Sequence, residues 1–320
     1  SPSTSNATVE WNAPATFNPT NLGQLFYNSS PINSFLITMS PLAGGVWESG
    51  GNLNTASYYR AYMGTQTANL VAGGEPGSLA VAETYNGTAW TEVGDLNTAR
   101  SQLAGAGTTA AGLSFGGKTP GSDAIADTEE YNGSAWAEQD NLNTGRHALG
   151  GCGTQTAGFA VGGYIGGGAP GNKGETETYN GSAWTEVADL NTASAYLSAF
   201  GTTSAAIRAG SASGSNNQVE SWDGTSWTET TEFNTARYSM GCTGISTDGL
   251  IFGGSGPDAE TESWNGSAWT ELADLATARY GMGGSSTSSS ATLASGGTPP
   301  TMTSTEEWNV ALTNKTITTS

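Results

Sequence analysis

The hexapeptide Tyr131-Asn132-Gly133-Ser134-Ala135-Trp136 constrains this chain more than any other feature, because the chain writes it, with small variations, five times. It returns from Tyr85 to Trp90, from Tyr179 to Trp184, from Trp222 to Trp227 and from Trp264 to Trp269. Every copy has an aromatic residue, an Asn-Gly or Asp-Gly pair, and a Trp five positions after the first aromatic. Asn-Gly accommodates the positive φ angles of a type I′ turn, so each copy predicts a tight β-hairpin with an aromatic on either arm. The closing Trp stands at 47, 90, 136, 184, 227 and 269, a spacing of 42 to 48 residues. Four short strands, one propeller blade, occupy that length.

The rest of each unit repeats in order. A turn such as Leu96-Asn97-Thr98-Ala99-Arg100 opens it, and a strand of small residues follows. A second strand ends in paired glycines at 73–74, 116–117, 162–163, 253–254 and 296–297, with Ala209 standing first in the fourth unit. Such glycines allow backbones to approach closely where blades crowd an axis. A third strand carries Glu two residues before the aromatic, and the fourth carries the Trp. Cycles start near residues 53, 96, 142, 190, 233 and 275. The sixth lacks its Trp arm, and the stretch around Trp47 lacks the three strands that should precede it. Joining them closes a ring and removes the free edges of an open array. The expectation is therefore an all-β, six-bladed β-propeller over residues 44–309, closed by strands from both termini. Residues 1–43, with a longer-looped β-hairpin, form an attachment arm, and 310–320 a C-terminal strand or tail.

Composition narrows the partners. With 28 acidic and nine basic residues the net charge is −19, and no basic run exists to neutralise nucleic-acid phosphates or anionic membranes. An acidic, Lys-poor surface resists aggregation and tolerates salt, which suits an extracellular or marine setting. No apolar run reaches the length of a spanning helix. Cys152 and Cys242 fall in non-adjacent repeats, so a disulfide would have to cross the molecule; both read as small buried thiols, and the redox compartment stays open. The start at Ser1-Pro2-Ser3 reads as a processed product or a segment of something longer.

Chemistry-bearing residues are few. His147 is the only histidine, beside Arg146, and no nucleophile elbow, zinc spacing, phosphate loop or calcium loop accompanies it. It reads as a packed or rim residue. Differences between units are more telling. Length varies almost wholly between the second and third strands, where the step from the second glycine to the Glu runs from 8 to 14. In a propeller these loops share one face, and variable loops on a rigid scaffold are where binding concentrates. They hold Lys118, Asp123, Tyr164, Lys173, Asn216, Asn217 and Asp258, the candidate binding residues, against the alternative that the loops simply drift.

Paired glycines, the Glu-x-Tyr/Trp strand, the Trp strand and the Asn-Thr-Ala-Arg turn resemble the kelch repeat over residues 44–309, although the aromatic-to-Trp hairpin is shorter than the usual kelch one. The pairing of Leu-Asn-Thr-Ala-Arg with Tyr-Asn-Gly-Ser-Ala-Trp, and the arm Gly23 to Asn28, more loosely resemble tail and fibre proteins of tailed phages, marine ones especially. The kelch resemblance implies that Glu83, Glu129, Glu177, Glu220, Glu262 and Glu306 are structural, paired in four blades with Arg100, Arg146, Arg237 and Arg279. It also brings in the galactose-oxidase type, whose copper needs more imidazole than one histidine supplies. The repeated Trps read as blade packing rather than sugar platforms. The expectation is a non-enzymatic structural or adhesive protein with no catalytic residue, metal or cofactor. It would sit on a virion, docked through residues 1–43 to other virion or filament proteins, with a loop face for cell-surface glycans and a possible homo-oligomer. A secreted lectin or adhesin at a cell surface is the alternative, and a glycan-cleaving carboxylate pair comes third.

Overall fold

A computed structural model describes residues 44–310 apart from 167–170, 213, 215 and 285–287. The predicted N-terminal arm and the tail beyond Val310 lie outside the described residues. Within them the chain is all-β, a ring of six four-stranded antiparallel blades without helices. Strand β1 (Val46–Ser49) comes first. Blade 1 is then β2 (Ala61–Thr65), β3 (Ala68–Ala72), β4 (Ala82–Tyr85) and β5 (Trp90–Val93). Blade 2 is β6 (Ala104–Gly107), β7 (Gly112–Phe115), β8 (Thr128–Tyr131) and β9 (Trp136–Gln139). Blade 3 is β10 (Gly150–Thr154), β11 (Ala157–Tyr164), β12 (Asn172–Tyr179) and β13 (Trp184–Val187). Blade 4 is β14 (Ser198–Thr202), β15 (Ala205–Ala209), β16 (Val219–Trp222) and β17 (Trp227–Glu229). Blade 5 is β18 (Gly241–Ile245), β19 (Asp248–Gly254), β20 (Asp258–Trp264) and β21 (Trp269–Glu271). Blade 6 has β22 (Ala291–Ser295) and β23 (Thr305–Asn309), with a Gly283–Ser295 bridge marking its inner position. Its outer strand is β1, in register Trp47↔Trp308, so the ring closes with strands from both ends of the propeller.

The core is divided into six wedges, one between each pair of neighbouring blades. Met63 and Leu70 of blade 1, for example, pack with Leu103, Tyr131 and Trp136 of blade 2. Each repeated Trp closes such a wedge and reaches back to the preceding blade. Trp184 Nε1 donates to Thr128 Oγ1 at 3.0 Å, Trp227 to Thr176 at 3.2 Å, Trp90 to Thr305 at 3.1 Å and Trp47 to Thr261 at 2.9 Å. Trp136 faces the same place in blade 1, but Ala82 stands there, and its indole N–H has no partner. The Trps are packing residues because an indole fills the gap between two twisted sheets while its one donor still finds an acceptor.

Two sequence readings change. The Asn-Gly hairpins are four-residue loops, with Tyr85 directly opposite Trp90, rather than two-residue type I′ turns. Asn86 Oδ1 accepts the backbone N–H groups of Thr88 and Ala89 at 3.0 and 2.9 Å. That side-chain bond lets Asn keep a negative φ, and only Gly87, at φ +86°, must be left-handed. In the fourth unit the glycine pair also shifts by one. Arg208 is opposite Glu220 as Val71 is opposite Glu83, so Gly210 and Ser211 hold the paired positions and Ala209 precedes them.

The paired glycines have a specific task. Gly74 N–H donates across the wedge to Arg100 O at 2.9 Å, and Gly117, Gly163, Gly254 and Gly297 do the same to Arg146, Ser194, Arg279 and Ser57. A Cβ on Gly73 would stand 2.7 Å from Arg100 O, and both glycines have positive φ. A side chain at either position would push neighbouring blades apart.

Candidate functional site

The repeated glutamates are buried and fully engaged. Glu83 accepts Asn54 N–H at 2.7 Å, Asn54 Nδ2 at 3.0 Å and Thr55 N–H at 3.1 Å, and pairs with Arg60 at 3.3 Å. Glu129 does likewise with Asn97, Thr98 and Arg100. Arg146–Glu177 is 2.7 Å, Arg237–Glu262 2.7 Å and Arg279–Glu306 3.0 Å. Each carboxylate thus pins the turn that enters its own blade, Leu-Asn-Thr in four blades, Phe233-Asn234-Thr235 in the fifth and Leu275-Ala276-Thr277 in the sixth. In blades 1 and 4 Ser57 and Ser194 occupy the place of the turn arginine, and the partners are Arg60 and Arg208, one on a neighbouring turn residue and one on β15. Every arginine in the chain is thereby spent inside, one per blade.

The centre of one face is organised by another repeated position. Tyr59, Gln102, Ala148, Tyr196, Ser239 and Gly281 occur once per blade, two residues after the turn-arginine position, and all have φ between +53° and +71°. Their backbones form a closed ring. Tyr59 N–H donates to Gly281 O (2.6 Å), Gln102 to Tyr59 (3.0 Å), Ala148 to Gln102 (2.8 Å), Tyr196 to Ala148 (2.7 Å), Ser239 to Tyr196 (2.9 Å) and Gly281 to Ser239 (2.9 Å). The left-handed φ turns each amide along the circumference, where it meets the carbonyl of the preceding blade. Beneath the ring lies a cavity of about 140 Å³ along the axis, lined mainly by Leu103, Leu149, Leu197, Met240 and Tyr62. Cys242 also lines it and is only partly buried, which corrects the expectation of two buried thiols; Cys152 is buried, and both are free. Its place on the cavity wall, at the edge of the wedge between blades 4 and 5, explains the difference.

Over the ring the side chains differ. Tyr59 and Tyr196, from opposite blades, approach with ring centroids 5.8 Å apart. Tyr59 Oη lies 3.1 Å from Ser239 Oγ, and Tyr196 Oη donates to Gln102 Oε1 at 3.1 Å. Tyr280 and Tyr238 stand 6.2 and 6.1 Å from this pair, and Tyr58 lies tilted against Tyr59 at 5.2 Å. All five are partly buried, each with some surface open to solvent. Burial raises the Tyr59 and Tyr196 phenols, and for Tyr58 Glu75 and Tyr280 add to it, so the hydroxyls stay protonated near neutral pH. Gln102 Oε1 also meets His147 Nδ1 at 2.6 Å, and among the described residues no group bonds the Gln102 amino group. His147 is buried against Tyr164, and burial, aided by Lys118 and opposed by Asp123, lowers it to about 4.

The variable loops border this mouth. Backbone bridges tie Tyr58 to Glu75, Ser101 to Lys118, His147 to Tyr164 and Tyr280 to Thr298. Lys118, Asp123 and Tyr164 therefore come together around His147. Lys118 Nζ is held by Glu75 at 3.3 Å, and Glu75 also accepts Ser101 Oγ and Gly77 N–H, both at 2.8 Å. Burial opposes ionisation of Glu75, but these bonds prevail and hold it below the usual carboxylate range. Lys173 pairs with Glu175 at 3.3 Å. Asn217 braces its loop on Glu232 and Phe233 O, Asn216 turns toward Ser211 O, and the Asp258 carbonyl takes the N–H of Arg279. Asn216 and Asn217 thus brace blade 4 and the turn after it, and Asp258 O ties blade 5 to the turn of blade 6; none of these bonds reaches the Lys118 group. The mouth tyrosines are the residues that loop-length reasoning missed. Their signal was two adjacent columns of the repeat, reading Tyr58, Ser101, His147, Ala195, Tyr238, Tyr280 and then Tyr59, Gln102, Ala148, Tyr196, Ser239, Gly281. No known family model and no curated protein matches this sequence.

Proposed function

We propose that the chain is a non-catalytic binding propeller of kelch type, carried on the tail or fibre of a tailed bacteriophage, with its tyrosine mouth facing glycans of a host surface. One observation carries the binding part: Tyr59 and Tyr196 meet across the axis at the centre of the variable-loop face. Partly exposed aromatic rings bordered by hydroxyl and amide groups suit a sugar, which offers C–H faces for stacking and hydroxyls for hydrogen bonds. The free amino group of Gln102 is one donor for such a hydroxyl. The non-catalytic part is supported by the use of the repeated glutamates in buried ion pairs, which leaves them closed to a substrate. The phage setting rests on the resemblance of the repeats to tail and fibre propellers.

A glycan array probed with the labelled protein and with its Tyr59→Ala/Tyr196→Ala variant tests the site. Binding by the parent, its loss in the variant and no release of reducing sugar are expected. Sedimentation of the chain from its natural source tests the setting. Travel with particles supports display on a virion, and a free disc of monomer mass replaces that reading with a secreted lectin of the same site.

A further inference from the structure

The charges around the mouth are one-sided. Every arginine is buried in a blade ion pair, and the two described lysines of this face, Lys118 and Lys173, are each held by a carboxylate. Among the described residues no basic side chain is left over to receive a carboxylate, sulfate or phosphate on a ligand. Carboxylates remain in surplus on the same face: Asp123 is exposed, and on β20 Glu260 lies 3.3 Å from Arg237, which is already paired with Glu262, and close enough to Asp258 that their repulsion adds to burial in holding the Asp258 proton. The tyrosine rings add their own preference, since the negative face of an aromatic ring attracts a cation within about 6 Å. Neither a bare acidic cluster nor a bare aromatic patch would specify a ligand class, but here the two surround one mouth and point the same way.

We infer that the mouth selects glycans that carry a free amino group, such as N-deacetylated hexosamine units, over acidic glycans, with the sugar stacked on Tyr59 and Tyr196 and its ammonium over the tyrosine faces toward the loop carboxylates. This rests on the glycan-binding reading above and adds the charge of the ligand to it. Anionic sugars are rejected because they would place a negative group among carboxylates that outnumber the described cations, each of which is already engaged.

The test is titration calorimetry of the full chain at pH 5.5, where the sugar amine is protonated, with three probes: a glucosamine trimer, the N-acetylglucosamine trimer and a glucuronate-containing oligosaccharide. The amine trimer should bind about tenfold more tightly than the N-acetylated one, and the acidic probe should not bind. The preference should vanish in Tyr59→Ala/Tyr196→Ala, which leaves the protein's charge unchanged and so separates the site from general attraction to an acidic surface. Ala148 already occupies a left-handed place in the same ring, so alanine is conformationally acceptable there. Should the double variant fail to fold, Tyr238→Ala, farther from the axis, is read in the same way, with a loss of at least about threefold in the preference. Equal binding of the amine and N-acetyl trimers, both lost in the variant, overturns the charge selection and leaves the glycan platform standing. Amine binding that survives the tyrosine substitutions overturns the selection as well. Absence of binding by all three probes overturns both.

Discussion

Arg60 offers a test of how the blades are pinned. It occupies a place that is Leu103, Leu149, Leu197, Met240 or Met282 in the other blades, and yet its guanidinium reaches Glu83 at 3.3 Å, Gly73 O at 2.8 Å and Val81 O at 3.3 Å. Arg100, from the turn position of blade 2, serves the matching groups: Glu129, Gly116 O and Asp127 O. Two different points on the backbone thus deliver a cation to one equivalent site. Replacing Arg60 by Leu leaves the carboxylate of Glu83, fully buried, with three hydrogen bonds and no counter-charge. Removing one partner of a buried pair costs about 3–5 kcal/mol. For a domain of this size that corresponds to a fall of about 10 °C in Tm. Adding Ser57→Arg to Arg60→Leu places an arginine where blade 2 has one and a leucine where blade 2 has Leu103. The double variant should return to within about 1 kcal/mol of the parent, because the same acceptors are served again. Urea unfolding followed by Trp fluorescence measures all three proteins. An Arg60→Leu variant within about 1 kcal/mol of the parent would refute the idea that the pair pins the blade. A double variant no better than the single would refute the equivalence of the two positions.

Three other outcomes follow from the same geometry. Ala82→Thr supplies the acceptor that Trp136 lacks and that Thr128, Thr176, Thr261 and Thr305 supply to other indoles, so stability should rise by about 1 kcal/mol; a lower urea midpoint would mean that the wedge has no room for the extra atoms. His147, lowered from 6.5 to about 4 chiefly by burial, binds its proton less readily folded than unfolded. Its contribution is present above pH 6.5 and is lost as the pH falls toward 4, so the parent's urea midpoint should drop across that window more steeply than that of His147→Gln. Parallel curves would show that the imidazole titrates freely in the fold. Trp47→Ala removes the ring packed on Phe252 and Trp308 at 4.9 and 5.4 Å and the bond to Thr261. Hydrogen exchange should quicken first at residues 305–309, where β23 loses its outer neighbour, while β10–β13 keep their protection; uniform quickening would mean that the ring opens all at once.

The fold was legible because its punctuation is chemical. Asn and Gly at the hairpins, paired glycines at the wedges and one Trp per blade each have a local reason, and ring closure followed from the unmatched ends at Trp47 and Trp308. Where a residue reaches its partner from an unusual place, the repeat conceals it. Arg60 hides among aliphatic residues, and Arg208 stands where other units have Val71, Ser114 or Ala160. The turn type was misread because Asn-Gly is compatible with two loops, and only the bond from Asn Oδ1 to the next amides separates them. At the mouth, loop length drew attention to the rim and away from the axis. Tyr59 and Tyr196 are almost half the chain apart in sequence, and nothing local shows that six left-handed residues bring them into contact.

The six-membered backbone ring has no first or last member. Each peptide group points at the one behind it, so the local dipoles run in a circle, and their vector sum in the plane of the disc is close to zero. A helix end concentrates partial charge on its axis, whereas this closed circuit leaves the axis electrically quiet. The floor of the mouth therefore gives a guest of either sign little to hold. Discrimination must come from the side chains above it, which is where the six blades cease to be copies of one another.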